Sequence, residues 1–534
     1  MGSTESRLDA VFDEFDSASG PGFVAGVSRP GVPDYRRAGG VMSIESGARN
    51  TEHTRMRIGS TTKQFTCFAV MLLTEEGRLR LDDDIRAHLP ELPEYPRPVT
   101  IRQLMTNTSG LRCYLDLIGI LAGFDRAVSG ERARRLQLRQ RSVNFRAGER
   151  LVYCNGGYLL LSLLIERVSG MRLGEFFATR IFEPLGMTRT TFEPDDSKLR
   201  SGAATLHQRH PDGSYHRGAI GLPLTGDGAI ESTAEDLLRW LRHMEAPVAG
   251  LPTTWETMLA AGSDADHGYG FGLMHNTYRG VPIVEHGGTV FGGRCQALRV
   301  PEYGISLAIM SNASDVFPSQ IAERVLDVLL EGRLGPGQVA ASAESASAFA
   351  GTFYCEETGD VIRVVAKDGR AFLAGESGDI PLYETSNGGL RTNAASLSVV
   401  LAGIELRGNN GFRAIDLREG GHRAVLRRIE PQEGVAALDR CCGVYLNADC
   451  EGKARVVDGT PPRLLVRSPY GSAAFALEPL SGSAWLANLE DTWFPLRLLV
   501  EFRTSDGAAG LSVSSGRTKR LHWRSAGGAA SRSE

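Results

Sequence analysis

Lysine is scarce in this chain, and the charge balance excludes two classes of protein. Only five of the 534 residues are lysine, although lysine and arginine together number 59. They are outnumbered by 63 acidic residues, which gives a formal net charge of −4. A chain without a basic excess lacks the electrostatic footprint of a nucleic-acid-binding protein or of a protein drawn to anionic membranes. We therefore expect no nucleic acid and no membrane among its partners.

Long apolar runs and paired cysteines are also absent from the sequence. No run of about eighteen apolar residues occurs, so no membrane-spanning helix is predicted. The N-terminal residues show no apolar core of a secretory signal, and the eight cysteines are scattered without C-x-x-C spacing. We expect a cytoplasmic protein with free thiols, no metal ion and no other cofactor. A G-x-S-x-G turn is missing as well, so the α/β-hydrolase fold has no support.

One of the few lysines lies in an apolar stretch at residues 58–77. Apolar side chains run nearly all round the helix predicted there, which is typical of a helix buried inside a large domain. Ser60 lies in its first turn, and Gly77 follows its end, where helices favour glycine. Lys63 is the only lysine before Lys198. It shares a face with Ser60 because residues three apart are neighbours on a helix.

A buried lysine beside a serine has two interpretations. An ammonium group on an apolar helix needs a partner or a lowered pKa, and an uncharged amine next to a hydroxyl activates it as a nucleophile. The backbone N–H of Ser60 would then be available to hold an oxyanion. In the structural alternative, Lys63 reaches the surface from a core helix and Ser60 only caps that helix. The Ser-x-x-Lys spacing alone does not decide between them.

The chain is too long for a single hydrophobic core, so several domains are expected. Strand-like segments at residues 22–46 and 269–310 enclose helical segments between them. This order predicts an α+β domain over residues 1–335, in which one antiparallel sheet joins the first and last strand segments.

The sequence changes character after residue 335. Residues 336–348 are rich in alanine and serine, which predicts a flexible linker. Short alternating strands separated by Asp-Gly and Asn-Gly turns follow, and these predict two small antiparallel β-barrels, at 349–436 and 437–534. A faint repeat supports this, since Gly351-Thr-Phe-Tyr-Cys and Gly443-Val-Tyr-Leu-Asn each open a strand.

Three motifs occur in order along the chain: Ser60-Thr-Thr-Lys63, Tyr153-x-Asn155 and His286-Gly-Gly288. Together they resemble the motifs of the penicillin-recognising serine hydrolases, on the side of the class C β-lactamases. The phrases TIRQLMTNTSGL, FRAGERLVYCNGGY and YGFGL also resemble that family, over roughly residues 8–332. The two predicted barrels make the chain similar to the bacterial D-aminopeptidases within this family.

The resemblance implies a chemical role for three residues, each with a structural alternative. Ser60 would be the nucleophile that forms an acyl-enzyme, and Lys63 would accept or relay its proton. Tyr153 would act as the general base and then protonate the leaving amine. The structural alternatives are a helix N-cap, an ion pair and a packed tyrosine, in the same order.

Substrate-binding roles are implied for the neighbours of these residues. Asn155 would orient the base and donate to the substrate carbonyl, and His286 would tune Tyr153 electrostatically. Gly287 and Gly288 would let the substrate backbone approach the strand edge, and the N–H of Thr289 would be the second oxyanion donor. A turn asparagine and a strand histidine are the structural alternatives.

In the D-aminopeptidases a loop of the second barrel enters the active site, and the resemblance assigns it to residues 487–493. Glu490 or Asp491 would there bind the free ammonium group of the substrate. The stretch is shorter than the family pattern, so the alternative is a solvated hairpin tip whose loop does not reach the site.

The resemblance implies a serine aminopeptidase or amidase that removes N-terminal D-residues, such as D-alanine, from small peptides and amides. An esterase or a D,D-peptidase or β-lactamase could use the same residues. A protein that binds peptidoglycan fragments without turnover is the non-enzymatic alternative. The expected partner is a small peptide or amide substrate, and a homodimer is a possible oligomeric state. The sequence does not decide between D and L substrates, nor whether β-lactams are hydrolysed.

Overall fold

The computed structural model describes residues 3–526 except 125–126, 219–220, 222, 263–267, 376–378, 393–398, 407–410, 420–421, 430–440, 491, 493–495 and 506–507. The chain divides into two units that do not follow sequence order. The first comprises Met1–Pro90, Pro98–Asn107 and Gly157–Gly337, and the second comprises Glu91–Arg97, Thr108–Gly156 and Gln338–Glu534. The segment that carries Tyr153 therefore packs with the C-terminal part of the chain.

Helices occur throughout the described residues, in both units. In chain order they are α1 (Thr4–Phe12), α2 (Thr62–Glu75), α3 (Ile101–Met105), α4 (Tyr114–Ala122), α5 (Gly130–Leu138), α6 (Asn155–Ser169), α7 (Leu173–Phe177), α8 (Ala234–His243), α9 (Pro252–Ala260), α10 (Pro318–Leu329) and α11 (Ala343–Phe349). Short 3-10 turns occur at Asp13–Phe15, Gly59–Thr61, Ile85–Ala87 and Pro301–Tyr303, and a π-turn at Ala178–Phe182.

The first unit is built on an antiparallel sheet. Its strands are β1 (Phe23–Arg29), β2 (Val32–Gly39), β3 (Met56–Arg57), β4 (Thr191–Phe192), β5 (His207–Arg209), β6 (Tyr215–Arg217), β7 (Ile230–Ser232), β8 (Met274–Tyr278), β9 (Val281–Val290), β10 (Gly293–Val300) and β11 (Ile305–Ser311). Six of them form one sheet in the order β2-β1-β11-β10-β9-β8, while β3-β7-β4 and β5-β6 form two small sheets. The predicted pairing of the first and last strand segments is confirmed, because β1 pairs antiparallel with β11.

Helices cover both faces of the six-stranded sheet. Apolar residues of α1 and α10 form one core with residues of β1 and β11, among them Phe12, Phe23 and Val325. On β1, Gly26 lies directly against Leu238 of α8. A strand covered in this way is apolar on both faces, and β1 is buried over its first six residues.

The predicted central helix is confirmed as α2. Every residue from Thr62 to Leu73 is buried. Aromatic rings of α2 stack on tryptophans, with Phe65 on Trp240 at 4.1 Å between ring centres and Phe68 on Trp255 at 4.5 Å. The helix ends at Glu75, and Gly77 follows in the left-handed conformation that stops helices.

Two closed eight-stranded barrels form most of the second unit, as predicted. The first contains β12 (Gly351–Cys355), β13 (Asp360–Lys367), β14 (Arg370–Leu373), β15 (Ile380–Glu384), β16 (Leu390–Thr392), β17 (Val399–Leu406), β18 (Phe412–Glu419) and β19 (His422–Ile429). The second contains β20 (Gly443–Asn447), β21 (Gly452–Val457), β22 (Arg463–Ser468), β23 (Gly471–Ser481), β24 (Ala484–Leu489), β25 (Arg497–Ser505), β26 (Ala508–Ser514) and β27 (Leu521–Ser525). The faint sequence repeat thus corresponds to the first strand of each barrel.

The segment predicted as a flexible linker is partly helical. Helix α11 begins after Ser342, whose hydroxyl accepts a hydrogen bond from the N–H of Ser345. Ala346 and Phe349 of this helix are buried in the core of the first barrel. A cap and two apolar anchors are therefore enough to order a stretch whose alanine-rich and serine-rich composition suggests flexibility.

Within the described residues, no helix combines the length and the apolar character that crossing a bilayer requires.

A buried ionic cluster lies around Asp360 at the start of β13. Its carboxylate lies 3.0 Å from Nε2 of His422 and 3.1 Å from Nζ of Lys519, and Nη1 of Arg150 is 4.0 Å away. Burial alone would raise the pKa of Asp360, but the hydrogen bond with His422 and the nearby charges of Lys519 and Arg150 hold it well below its usual value. Asp360 thus stays ionised and links both barrels to the segment at Arg150.

We predict that Asp360→Asn lowers the free energy of unfolding by about 3 kcal/mol at pH 7, because it leaves Lys519 and Arg150 without their buried counter-ion. Since folding lowers the pKa of Asp360, its stabilisation is present above the unfolded value of about 4 and is lost as the pH falls below it. In urea unfolding, the difference in the free energy of unfolding between variant and wild type should therefore become smaller from pH 7 to pH 3.

The matched control is Asp379→Asn in the same barrel. Asp379 pairs with Lys367, whose side chain is 58% exposed, so its loss should cost less than about 1 kcal/mol. Equal losses for the two variants would contradict the role of the Asp360 cluster.

Candidate active site

Ser60 lies in the 3-10 turn Gly59–Thr61 that leads into α2, and it is partly exposed to solvent. Gly59 has a φ of 52°, in the left-handed region, and a Cβ at this position would lie 2.8 Å from the N atom of Thr289. Both the backbone angle and the close approach require glycine. The turn therefore holds Ser60 against the strand β9, which carries Thr289.

Lys63 is completely buried one turn after Ser60. Its Nζ donates to Oγ of Ser60 at 3.0 Å and to the carbonyl oxygen of Asp227 at 2.8 Å, and it lies 5.2 Å from the ring centre of Tyr158. The structural alternative in which Lys63 reaches the surface is wrong. The N-cap of α2 is Thr61, and it makes no side-chain capping bond, so Ser60 is not a helix cap either.

The Asp227 carbonyl is positioned by a short loop that sequence reasoning missed. Gly226 accepts a hydrogen bond from Oγ1 of Thr66 on α2 at 2.7 Å, and its N–H donates to Oγ of Ser162 on α6 at 3.0 Å. The Asp227 carboxylate accepts from the N–H of Thr225 at 2.8 Å. No side-chain pattern could reveal this partner of Lys63, because the group that accepts is a main-chain carbonyl.

The His286-Gly-Gly288 motif lies on β9, beside the Ser60 turn. The hydroxyl of Thr61 donates to the carbonyl oxygen of His286 at 3.1 Å. A Cβ on Gly288 would lie 1.8 Å from the carbonyl oxygen of Ile58 and 3.1 Å from the N atom of Ser60. The absence of a side chain at Gly288 is thus required by the chain itself. The first unit brings together Ser60, Lys63 and the His286–Thr289 segment.

Gly287 differs from its neighbour. A Cβ on Gly287 would meet only the side-chain oxygen of Gln296, at 3.1 Å, and the carbonyl oxygen of Cys295 at 3.7 Å. Thr289, two residues further, is exposed to solvent.

His286 is buried in a chain of hydrogen-bonded rings. Its Nε2 lies 3.2 Å from the hydroxyl of Tyr269, and its Nδ1 lies 2.6 Å from the carbonyl oxygen of Gly287. Burial, together with the nearby charge of Lys63, lowers the pKa of His286 to about 3. The imidazole is therefore neutral at pH 7, and its influence on a neighbour comes through hydrogen bonding rather than through a positive charge.

The ring chain continues from Tyr269 to Tyr158. Their hydroxyls lie 3.2 Å apart, and the hydroxyl of Tyr158 is 2.8 Å from the carbonyl oxygen of Met105 and 3.6 Å from Sγ of Cys67. Burial raises the pKa of Tyr158 well above its ordinary value. Sequence reasoning missed both tyrosines, although Tyr269 begins the phrase YGFGL and Tyr158 follows the Tyr153 motif closely.

Tyr153 and Asn155 belong to the second unit. Tyr153 is partly exposed, and the guanidinium carbon of Arg517 lies 5.0 Å from its ring centre. Asn155 is 6% exposed and is the first residue of α6. Within the same unit, Cys154 between them contacts the carbonyl oxygen of Leu111 through its Sγ at 3.4 Å.

The stretch predicted to enter the site is partly strand. Residues 487–489 complete β24, and the carboxylate of Glu490 pairs with Arg463 of the same barrel at 3.2 Å. The N–H of Glu490 donates to the carbonyl oxygen of Ala474 at 2.9 Å. Asp491 lies outside the described residues. The substrate-binding role of Glu490 stays a prediction.

Comparison with known proteins decides the family. The profile described as Beta-lactamase matches residues 8–330, which is more than half of the chain. The chain belongs to the Beta-lactamase family. Among its relatives, the D-aminopeptidase of Gluconobacter oxydans is 28% identical over 454 residues, which cover 83% of each chain. A D-aminopeptidase of Brucella anthropi is 31% identical over 360 residues, which cover 64% of this chain and 65% of the relative, just under two thirds of its length.

Solved structures share the fold of this Beta-lactamase family member. An octameric penicillin-binding protein homologue from Pyrococcus abyssi has a TM-score of 0.55 at 20% identity, covering 98% of this chain and 99% of that one. A D-amino acid amidase from Ochrobactrum anthropi SV3 has a TM-score of 0.54 at 21% identity, covering 62% of this chain and all of that one.

We predict that Gly288→Ala lowers the free energy of unfolding by at least about 2 kcal/mol, because the new Cβ overlaps the Ile58 carbonyl beside Ser60. The adjacent Gly287→Ala is the control and should cost less than about 1 kcal/mol, since only the movable Gln296 side chain has to shift. Denaturant unfolding of both variants measures the difference. Equal stabilities would contradict the close approach of β9 to the Ser60 turn.

Proposed function

We propose that the chain is a serine aminopeptidase or amidase that removes N-terminal D-amino acids, such as D-alanine, from small peptides and amides. The observation that carries the proposal is the buried Lys63 amine, 3.0 Å from the partly exposed Ser60 hydroxyl. Burial and a short contact are what an activated serine needs. The D-aminopeptidases among the relatives support the substrate class.

In the proposed reaction, Oγ of Ser60 attacks the carbonyl carbon of the N-terminal residue. Lys63 and Tyr153 together take the hydroxyl proton, and the backbone N–H groups of Ser60 and Thr289 bind the oxyanion. Tyr153 then gives the proton to the leaving amine, so the amide bond breaks and an ester on Ser60 remains. Water attacks this ester by the same route, which releases the amino acid and restores the serine.

The other predicted residues assist in this proposal. Asn155 orients the base and donates to the substrate carbonyl. His286, neutral because its pKa is about 3, acts through its hydrogen bonds. Glu490 or Asp491 binds the substrate ammonium. Gly287 leaves room for the substrate backbone at the edge of β9.

Three predictions about the whole chain complete the proposal. Its domains would be a hydrolase domain at 1–335, a connection at 336–348 and two barrel domains at 349–436 and 437–534. A cytoplasmic location and a homodimer stay predictions of the sequence. Size-exclusion chromatography with light scattering tests the dimer.

We predict that the purified protein hydrolyses D-alanine p-nitroanilide at least tenfold faster than the L enantiomer, and that Ser60→Ala abolishes both the turnover and labelling by a fluorophosphonate probe. The reason is that the ester intermediate needs the Ser60 oxygen. The control is Ser319→Ala on α10, an exposed serine that should keep full labelling.

Two outcomes would contradict this proposal. Equal turnover of the enantiomers removes the D-aminopeptidase assignment. Turnover of nitrocefin or of p-nitrophenyl esters without turnover of the anilides favours a β-lactamase or esterase that uses the same residues.

We predict that Lys63→Met lowers kcat by about 10²- to 10⁴-fold, the range for loss of a general acid or base. Methionine fills the buried space without an amine, so the melting temperature should stay within a few degrees of wild type. Steady-state kinetics with D-alanine p-nitroanilide measure the effect. A folded Lys63→Met variant with wild-type kcat would exclude Lys63 from the reaction.

A further inference from the structure

The loop between β26 and β27 is bound to the segment that carries Tyr153, within the second unit. The hydroxyl of Ser515 and the N–H of Arg517 both donate to Oδ2 of Asp116 on α4, the latter at 3.2 Å. Asn144 donates from Nδ2 to the carbonyl oxygen of Arg517 and accepts from the N–H of Lys519, each at 2.8 Å. The main chain of Arg517 is therefore held from both sides.

A buried arginine strengthens this attachment. Arg112 is 1% exposed, and its Nη2 donates to the carbonyl oxygens of Lys519 at 3.4 Å and Arg520 at 3.3 Å. Its Nη1 donates to the carbonyl oxygen of Ser142 at 2.9 Å. Polar contacts thus fix the positions of four residues of the loop, namely Ser515, Arg517, Lys519 and Arg520. Such fixing is what preorganises a binding group.

The side chain of Arg517 extends from this fixed position over Tyr153. Its guanidinium carbon lies 5.0 Å from the ring centre, and the residue is exposed to solvent. A guanidinium carries its five N–H donors in one plane, including where it lies over an aromatic ring. These groups form the planar fork that matches a carboxylate.

A carboxylate on the first leaving residue lies nearer to Tyr153 than one on any later residue. A leaving amine that takes a proton from Tyr153 must come within about 3 Å of its hydroxyl oxygen. The α-carboxyl carbon of an amino acid lies two covalent bonds beyond that nitrogen, about 2.5 Å away. The carboxylate of a second leaving residue would lie about 3.8 Å further along the chain.

We infer that Arg517 binds the α-carboxylate of the leaving residue, so that the preferred substrates are dipeptides with a free C-terminus. The inference rests on the proposed function, because it takes Tyr153 as the group that protonates the leaving amine. It goes beyond that function by naming the leaving group. Arg517 is then a specificity-determining residue, contributed by the second barrel.

The test compares wild type and one variant on two substrates. D-alanyl-glycine and D-alanyl-glycinamide differ in the charged carboxylate, and the released D-alanine is measured for wild type and Arg517→Gln. The ratio of kcat/KM for the acid over the amide should fall at least tenfold in the variant. Taking the ratio removes the different basicities of the two leaving amines, and any general effect of the substitution.

Two further variants and one substrate sharpen the result. Arg517→Lys keeps the charge but loses the fork, so its ratio should lie between those of wild type and Arg517→Gln. Arg455→Gln, an exposed arginine on β21 of the same barrel, should keep the wild-type ratio. Wild type should also prefer D-alanyl-glycine to D-alanyl-glycyl-glycine.

The outcomes separate this inference from the proposed function. If wild type cleaves D-alanyl amides but Arg517→Gln leaves the ratio unchanged, the carboxylate role is wrong and the aminopeptidase proposal stands. If kcat/KM falls equally for both substrates, Arg517 has only a structural role. If wild type cleaves no D-alanyl substrate, the proposed function itself fails.

Discussion

The local structure around α2 in the first unit depends on how the buried amino group of Lys63 is accommodated. Lys63 is fully buried, and burying an amine without partners is costly. The hydroxyl of Ser60 and the carbonyl oxygen of Asp227 are two of its hydrogen-bond partners. Each of them has to be held in place, the first by a turn that only Gly59 allows and the second by a loop bonded to Thr66 on α2. The conformation of the Gly59 turn and the position of the Asp227 loop are therefore both linked to Nζ of Lys63.

The two groups that accept hydrogen bonds from that amino group, the Ser60 hydroxyl and the Asp227 carbonyl, are polar and neutral. His286 stays neutral because burial disfavours its charged form, and the nearby Lys63 lowers its pKa in the same direction. The hydroxyl of Tyr269 extends the network to Tyr158, whose phenol stays protonated because burial raises its pKa. Hydrogen bonds rather than ion pairs thus order this side of the site. Such a network fixes the orientation of the rings beside the buried amine.

The sequence could predict the local elements of the fold, but not the contacts between residues that are distant in the chain. The apolar periodicity of α2 and its glycine stop are local, and turn pairs such as Asp368-Gly369 mark hairpins within a few residues, so helix and barrels were predictable. The carbonyl of Asp227 carries no side-chain signal. The tyrosines beside His286 belong to other elements. The position of Arg517 over Tyr153 joins residues more than 350 positions apart, and no periodicity reports such a contact.

The membership of Thr108–Gly156 in the second unit has a consequence for biosynthesis. This segment leaves the ribosome early, but its packing partners after residue 338 follow nearly two hundred residues later. Domains usually complete themselves in the order of their translation. Here the nascent segment has to wait, with the part of α4 that packs on β22 and β23 uncovered, until these strands emerge. Chaperones that bind exposed apolar helices would find their target in this interval.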